Sequence, residues 1–195
     1  VVWSSWDDIP VNVDPETDDG FYPQGLDWIH CNSLIYDEAE GAYYMSTASL
    51  DSLLKIDRAR GELVWGLGGT TGDFELTAGD PFSTFHSPEL TESGVRIFDN
   101  GEVSETSRVV EYALDEENFT AAEVWSYDAG NRYGTNVLGD AATMPDGNLQ
   151  LSWGDDGVYQ QINLEGEELW VGAMTVGNAS GYVHPLVQMG GPVEE

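Results

Sequence analysis

The chain has 195 residues, 36 of them acidic against 6 basic, for a formal charge of −30. That length supports one sizeable hydrophobic core, and a field of that sign repels nucleic acid and anionic membrane, which excludes polyanion binding as a function class. With hydrophobic residues at 41% and aromatics at 11% the chain is not disordered, and no apolar run is long enough to span a bilayer. Cys31 is the single cysteine, so an intrachain disulfide and a cysteine-based zinc site are excluded; beside His30 it reads as a small buried strand residue rather than a nucleophile.

In chain order, short strands recur in a fixed grammar. Val1-Val2-Trp3 reads as the last strand of one unit, and residues 16–25 as a loop rich in Gly, Asp and Pro. The first whole unit, 25–69, opens at Asp27-Trp28-Ile29-His30-Cys31-Asn32-Ser33-Leu34 and continues through strands at 42–46, 53–57 and 62–65. After a loop at 68–81, the second unit (70–130) opens at Phe82-Ser83-Thr84-Phe85-His86-Ser87-Pro88-Glu89-Leu90, with strands at 95–99, 109–112 and 122–125. The third, 131–186, has Gly139-Asp140 at the equivalent head and strands at 148–153, 159–163 and 168–170. Residues 1–24 read as the end of a preceding unit with its linker, and 187–195 as a tail.

Alternating apolar positions bounded by Asp, Asn and Gly are the signature of β-hairpins. Each unit therefore predicts four antiparallel strands, A to D, with a tryptophan closing D: Trp65, Trp125 and Trp170, with Trp3 in the partial unit. A period of roughly 45–60 residues fits β-propeller blades. The expected fold is all-β: a β-propeller of four-stranded antiparallel blades, three whole and one partial. Closed propellers usually need about four blades or more, so the ring is completed either by further blades of a longer chain, which is the expectation, or by association with another chain.

In a propeller, strand A lines the central channel, and the loops entering A share a face with those joining B to C. His30 and His86 head strand A in successive units and so converge on one mouth. Asn32 and Arg108, the latter in the B–C connection at 105–108, fall on the same face. Two imidazoles, an amide and a guanidinium can hold an oxyanion and supply a nucleophile or an acid. Each histidine also reads as a hydrogen-bonded residue capping its strand. His184 lies outside the repeat and reads as structural. His30 and His86 with Asp27 lack metal-ligand spacing, so no metal is expected, and no cofactor either; Asp99-Asn100-Gly101 reads as a tight hairpin turn rather than a calcium loop.

Asp27-Trp28-Ile29-His30-x-Asn32-Ser33-Leu34-x-Tyr36-Asp37 followed by Lys55-Ile56-Asp57 and Gly61-Glu62-Leu63-Val64-Trp65-Gly66-Leu67-Gly68-Gly69 resembles the aryl-sulfate sulfotransferase family. So do Ile97-Phe98-Asp99-Asn100-Gly101 with Ser107-Arg108-Val109-Val110-Glu111-Tyr112, and Pro145-Asp146-Gly147-Asn148-Leu149. The resemblance implies a six-bladed propeller, with this chain its C-terminal half. It implies sulfuryl transfer from an aryl sulfate to a phenol without a nucleotide donor, in a periplasmic or extracellular setting. His86 matches the family's nucleophile, and His30 with Asn32 matches the His-x-Asn pair that holds sulfate oxygens and helps protonate the leaving phenolate.

Three positions depart from the family pattern. Ala48 stands where an arginine is expected about eighteen residues after His30, Phe85 replaces a polar residue before His86, and a further histidine from an earlier blade lies outside this chain. Arg108 is read as a partial substitute for the arginine, although Ser107-Arg108 also belongs to the family's framework pattern. A non-catalytic propeller of the same origin, used for binding or scaffolding, is the alternative. A metal-dependent hydrolase or lyase is a more distant one.

Overall fold

Hairpin turns repeat one device along the chain. The Asp37 carboxylate accepts the N–H of Ala39 at 2.8 Å, Asp57 accepts those of Ala59 and Arg60 at 2.8 Å, and Asp115 those of Glu117 and Asn118 at 3.1 and 3.0 Å. An Asx side chain that satisfies the backbone two and three residues on favours a tight reversal, and antiparallel pairing follows. The computed structural model describes residues 2–10, 28–101, 106–174 and 179–183. Val1, the loop at 16–25, Asp27, His184 and the tail at 187–195 lie outside them.

Three sheets form in succession. β1 (Cys31–Asp37), β2 (Ala42–Thr47), β3 (Ser52–Asp57) and β4 (Glu62–Leu67) make the first, in chain order. The second contains β5 (Glu75–Ala78), β6 (His86–Leu90), β7 (Gly94–Asp99), β8 (Arg108–Asp115) and β9 (Thr120–Tyr127), in the order β5-β9-β8-β7-β6. β10 (Asp140–Thr143), β11 (Leu149–Trp153), β12 (Val158–Ile162) and β13 (Glu168–Ala173) make the third, again in chain order. Among the described residues the fold is all-β with antiparallel sheets, apart from one parallel pairing, the helical turn α1 at Ser5–Asp8 and four short 3-10 turns.

Two sequence expectations are corrected. The loop expected at 68–81 contains β5, which pairs parallel with β9 and adds a fifth strand to the second sheet. Val2-Trp3 is not a strand: the Trp3 indole donates to Asp8 at 2.5 Å, and the same carboxylate accepts the Leu63 N–H at 3.3 Å. The N-terminal segment thus lies against the edge strand β4 without adding a rung to it.

The middle sheet is covered on both faces. Val95, Ile97, Val110 and Tyr112 pack with Tyr44, Leu53, Trp65, Phe82 and Phe85 on the side of the first sheet. Phe98 and Val109, their immediate neighbours, pack with Leu149, Leu151, Trp153 and Ile162 on the side of the third. Successive strand residues point to opposite faces, so the adjacent apolar pairs Ile97-Phe98 of β7 and Val109-Val110 of β8 bury one side chain on each side. Each such side chain withdrawn from water contributes about 1.5–3 kcal/mol. The closing tryptophans tie sheet to sheet: Trp65 of β4 donates to Glu116 in the β8–β9 turn at 3.0 Å, and Trp125 of β9 to the Leu164 carbonyl in the β12–β13 turn at 2.9 Å. The leading strands face one another, β1 against β6 and β6 against β10. Their heads are therefore neighbours.

Candidate active site

At the head of β6, Phe82 and Phe85 are buried and meet edge to face, 4.8 Å between centroids, which anchors the backbone just before His86. Thr84 and Ser87, on either side, take left-handed conformations with φ of 49° and 47°. The ladder with β7 is irregular between His86 and Glu89, where Pro88 has no N–H to give. A bulge of this kind turns a side chain out of the regular pleat, and here it settles His86 in a buried position with Nδ1 2.7 Å from Oδ1 of Asn100.

The head of β1 is built the same way. His30 has φ of 43°, and a register shift between Cys31 and Ser33 takes Asn32 out of the ladder. The freed Asn32 amide donates to the Phe85 carbonyl at 3.3 Å and accepts from Ser46 Oγ at 2.5 Å, joining the first head to the second. The third sheet contributes Asp140, which is buried and accepts the Val183 N–H at 2.5 Å, while Ser87 Oγ donates to the Gly139 carbonyl at 3.2 Å. Gly139 is needed at this corner: its φ is +105°, and a Cβ there would lie 2.4 Å from the Phe98 ring. Tyr182 reaches back across 150 residues and donates its hydroxyl to the Asn32 carbonyl at 2.5 Å.

Burial is the largest influence on His86 and holds its pKa below the ordinary 6.5. The Asn100 oxygen and the Thr84 carbonyl favour the protonated ring, a charge on His30 opposes it, and Asp140 favours it. The balance leaves His86 neutral at pH 7, within electrostatic reach of His30 and Asp140. The head of the first sheet thus meets that of the second through the Asn32 amide and the Phe85 carbonyl, and His30 and Asp140 both act on His86 through their charges.

Arg108 is placed differently. Its guanidinium donates to Asp99 at 3.0 Å, Glu123 at 3.0 Å, the Asp80 carbonyl at 3.0 Å and the Tyr112 hydroxyl at 3.4 Å. Every guanidinium nitrogen is engaged within a buried framework, and the expected mouth-facing cation is instead a tie within the second sheet. Cys31, expected buried, is exposed; desolvation at the thiol nevertheless pushes its pKa up, against a weak contact to the Ser33 carbonyl at 3.7 Å, so it stays protonated and a poor nucleophile. Ala48 donates its N–H to the His30 carbonyl at 3.0 Å. Asn100 does not sit in a tight hairpin: β7 ends at Asp99 and β8 begins at Arg108, and Asn100 leads the longer connection between them. Sequence reasoning did not place Asn100, Asp140 or Tyr182 at the site. The repeat register held a signal for Asp140, which heads the third unit as the histidines head the first two. Among the described residues no group of three or more His, Cys, Asp or Glu side chains gathers as a metal site.

Three successive sheets, antiparallel apart from the β5–β9 pairing, whose leading strands pack against one another define an all-β protein. The Arylsulfotransferase (ASST) family matches residues 7–176, and the chain belongs to that family. No curated protein matches the chain. Among solved structures, a Lactobacillus plantarum protein is 14% identical with a TM-score of 0.50, over 77% of this chain and 44% of that one. A Bacteroides caccae protein of unknown function is 12% identical with a TM-score of 0.44, over 74% and 46%. The periplasmic gluconolactonase PpgL of Pseudomonas aeruginosa is 11% identical with a TM-score of 0.47, over 77% and 41%. The chain spans less than half the length of each of these structures; the Lactobacillus likeness is one of fold alone.

Proposed function

We propose that the protein is an aryl-sulfate sulfotransferase, its three sheets being consecutive blades of a larger β-propeller and His86 its nucleophile. What supports this reading is the junction of the two strand heads, where Asn32, two residues after His30, bonds the Phe85 carbonyl beside His86, with His86 kept neutral by burial. A neutral imidazole near pH 7 has a lone pair to offer. In the first half-reaction that pair attacks the sulfur of an aryl sulfate, the bond from sulfur to the aryl oxygen breaks, and the leaving phenolate takes a proton from His30. In the second, a phenol gives its proton back to His30 and takes the sulfuryl group from His86. Asn32 offers a sulfate oxygen a donor from the amide that also bonds Phe85. Arg108 is a framework residue in this reading. Donor and acceptor are small molecules, no cofactor is called for, and a periplasmic or extracellular location goes with the chemistry.

The test uses the full-length protein with p-nitrophenyl sulfate and phenol. Release of p-nitrophenol, together with a peptide containing His86 that is heavier by one SO3 group, is the expected result, and both vanish in His86→Ala. If neither signal appears in the unaltered protein, the enzyme reading is lost. The second reading, a non-catalytic propeller, is favoured by one observation: Ala48 puts a methyl group, not a guanidinium, beside His30.

A further inference from the structure

We infer that Asn100 is a positioning residue that fixes the tautomer of His86, so that the neutral ring carries its proton on Nδ1 and its lone pair on Nε2. The inference rests on the reading of His86 as nucleophile for its functional meaning, but not for its geometry. A primary amide has one acceptor end and one donor end. The Nδ2 end of Asn100 lies 3.0 Å from the Thr135 carbonyl and 2.9 Å from the Leu138 carbonyl. Carbonyl oxygens only accept, so a flipped amide would set its own oxygen against both. Oδ1 must therefore face His86, at 2.7 Å from Nδ1, and an acceptor there requires Nδ1 to be the donor. Which nitrogen of a histidine is protonated is set by the partner of the other.

The anchor is stiff. Ser107 Oγ lies 2.9 Å from the Asn100 carbonyl and 3.1 Å from the Thr135 carbonyl, which share its single proton, and accepts the Thr135 N–H at 2.9 Å. Thr135 Oγ1 accepts the Asp155 N–H at 2.9 Å and donates to the Val137 carbonyl at 2.6 Å. Asn100, Ser107 and Thr135 are all buried, and rotating the amide would strand polar groups at a cost of about 1–3 kcal/mol each. Leu138 is held at φ of 64°, a conformation a leucine rarely adopts. A segment leading into the third sheet thus grips a residue of the second, which in turn orients the histidine at the head of that sheet. The other groups that act on the ring are His30 from the first sheet, Asp140 from the third and the Thr84 carbonyl on its own segment.

The test is nitrogen NMR of the full-length protein labelled with 15N-histidine, the His86 signals being assigned by their loss in His86→Gln. Above the pKa of His86, Nδ1 is expected to resonate as a protonated ring nitrogen and Nε2 as an unprotonated one. In Asn100→Ala the preference is lost or reversed, and the rate of sulfuryl transfer falls by about a hundredfold. The tautomer of the unaltered protein needs no variant at residue 100, so it serves if the alanine fails to fold. A neutral His86 protonated on Nε2 in the unaltered protein overturns the inference, and so does an Asn100→Ala variant that folds and keeps Nδ1 protonated. The expected tautomer in a protein that transfers no sulfuryl group from any aryl sulfate would defeat the proposed reaction while upholding the role of Asn100.

Discussion

The backbone N–H of Ala48 donates to the carbonyl oxygen of His30 at 3.0 Å. Residue 48 therefore stands beside one of the two histidines, on the turn between β2 and β3. An arginine there would bring a forked donor towards the oxygens of a transferring sulfuryl group, where a single missing donor costs about two to three orders of magnitude. Ala48→Arg is expected to raise kcat for p-nitrophenyl sulfate by about a hundredfold. Steady-state kinetics check this; an unchanged or lower kcat would show that the site works without a guanidinium at this position, or does not work on aryl sulfates.

The lowered pKa of His86 has two pH consequences. The nucleophile is the neutral ring, so the first half-reaction is flat near neutrality and falls as pH drops through a value below 6.5. For stability, the folded protein binds fewer protons at His86 than the unfolded chain between the folded and the ordinary pKa, so the unfolding free energy rises with pH across that interval and is lost as pH falls through it. His86→Gln removes this contribution. Thermal unfolding across mildly acidic pH should show a shallower dependence in the variant than in the unaltered protein.

Much of the fold was legible because hairpins are local. Asp37, Asp57 and Asp115 turn the chain with their own side chains, and alternation does the rest. β5 was not legible: it is four residues long, flanked by Gly and Pro, and paired with a strand more than forty residues away, a contact that depends on tertiary context. His30 and His86 were legible from repeat position alone. Asn100 was not, because it is gripped by the backbone carbonyls of Thr135 and Leu138, and carbonyls leave no mark in a sequence. Arg108 was misdirected for a simpler reason. It shares strand parity with Val110 and Tyr112, which pack on the side of the first sheet, and a parity count would have sent its side chain to that face.

The formal charge of −30 opposes the approach of an aryl sulfate anion. Screening weakens that repulsion, since the Debye length falls from about 30 Å at 0.01 M salt to about 10 Å at 0.1 M. On the sulfotransferase reading, kcat/KM for an anionic donor should therefore rise with added salt while kcat changes little. Repeating the measurement with a neutral phenol as the varied substrate is the control, because its encounter carries no charge term. A donor kcat/KM that falls with salt would point to a local cationic guide that outweighs the overall field.

Arg108 and Asp99 give the sharpest separation between a binding role and a framework role. Asp99 is completely buried, its carboxylate shared among the N–H groups of Ser83 and Gly101 and the guanidinium of Arg108. Burial pushes the Asp99 pKa up, and those donors pull it back towards the charged form. Removing one partner of a buried pair strands the other, which typically costs about 3–5 kcal/mol. Arg108→Met is expected to lose stability on that scale, read from urea unfolding, with KM for the donor little changed in whatever fraction remains folded. The deficit should depend on pH in a defined direction. Asp99 is already easier to protonate in the folded state than in the unfolded one, and without the guanidinium this difference widens, so the folded variant binds the extra proton over a wider interval and its stability falls as pH rises through it. The gap to the unaltered protein is therefore widest near neutrality and narrows towards acid. A variant of normal stability with a raised KM would return Arg108 to the substrate.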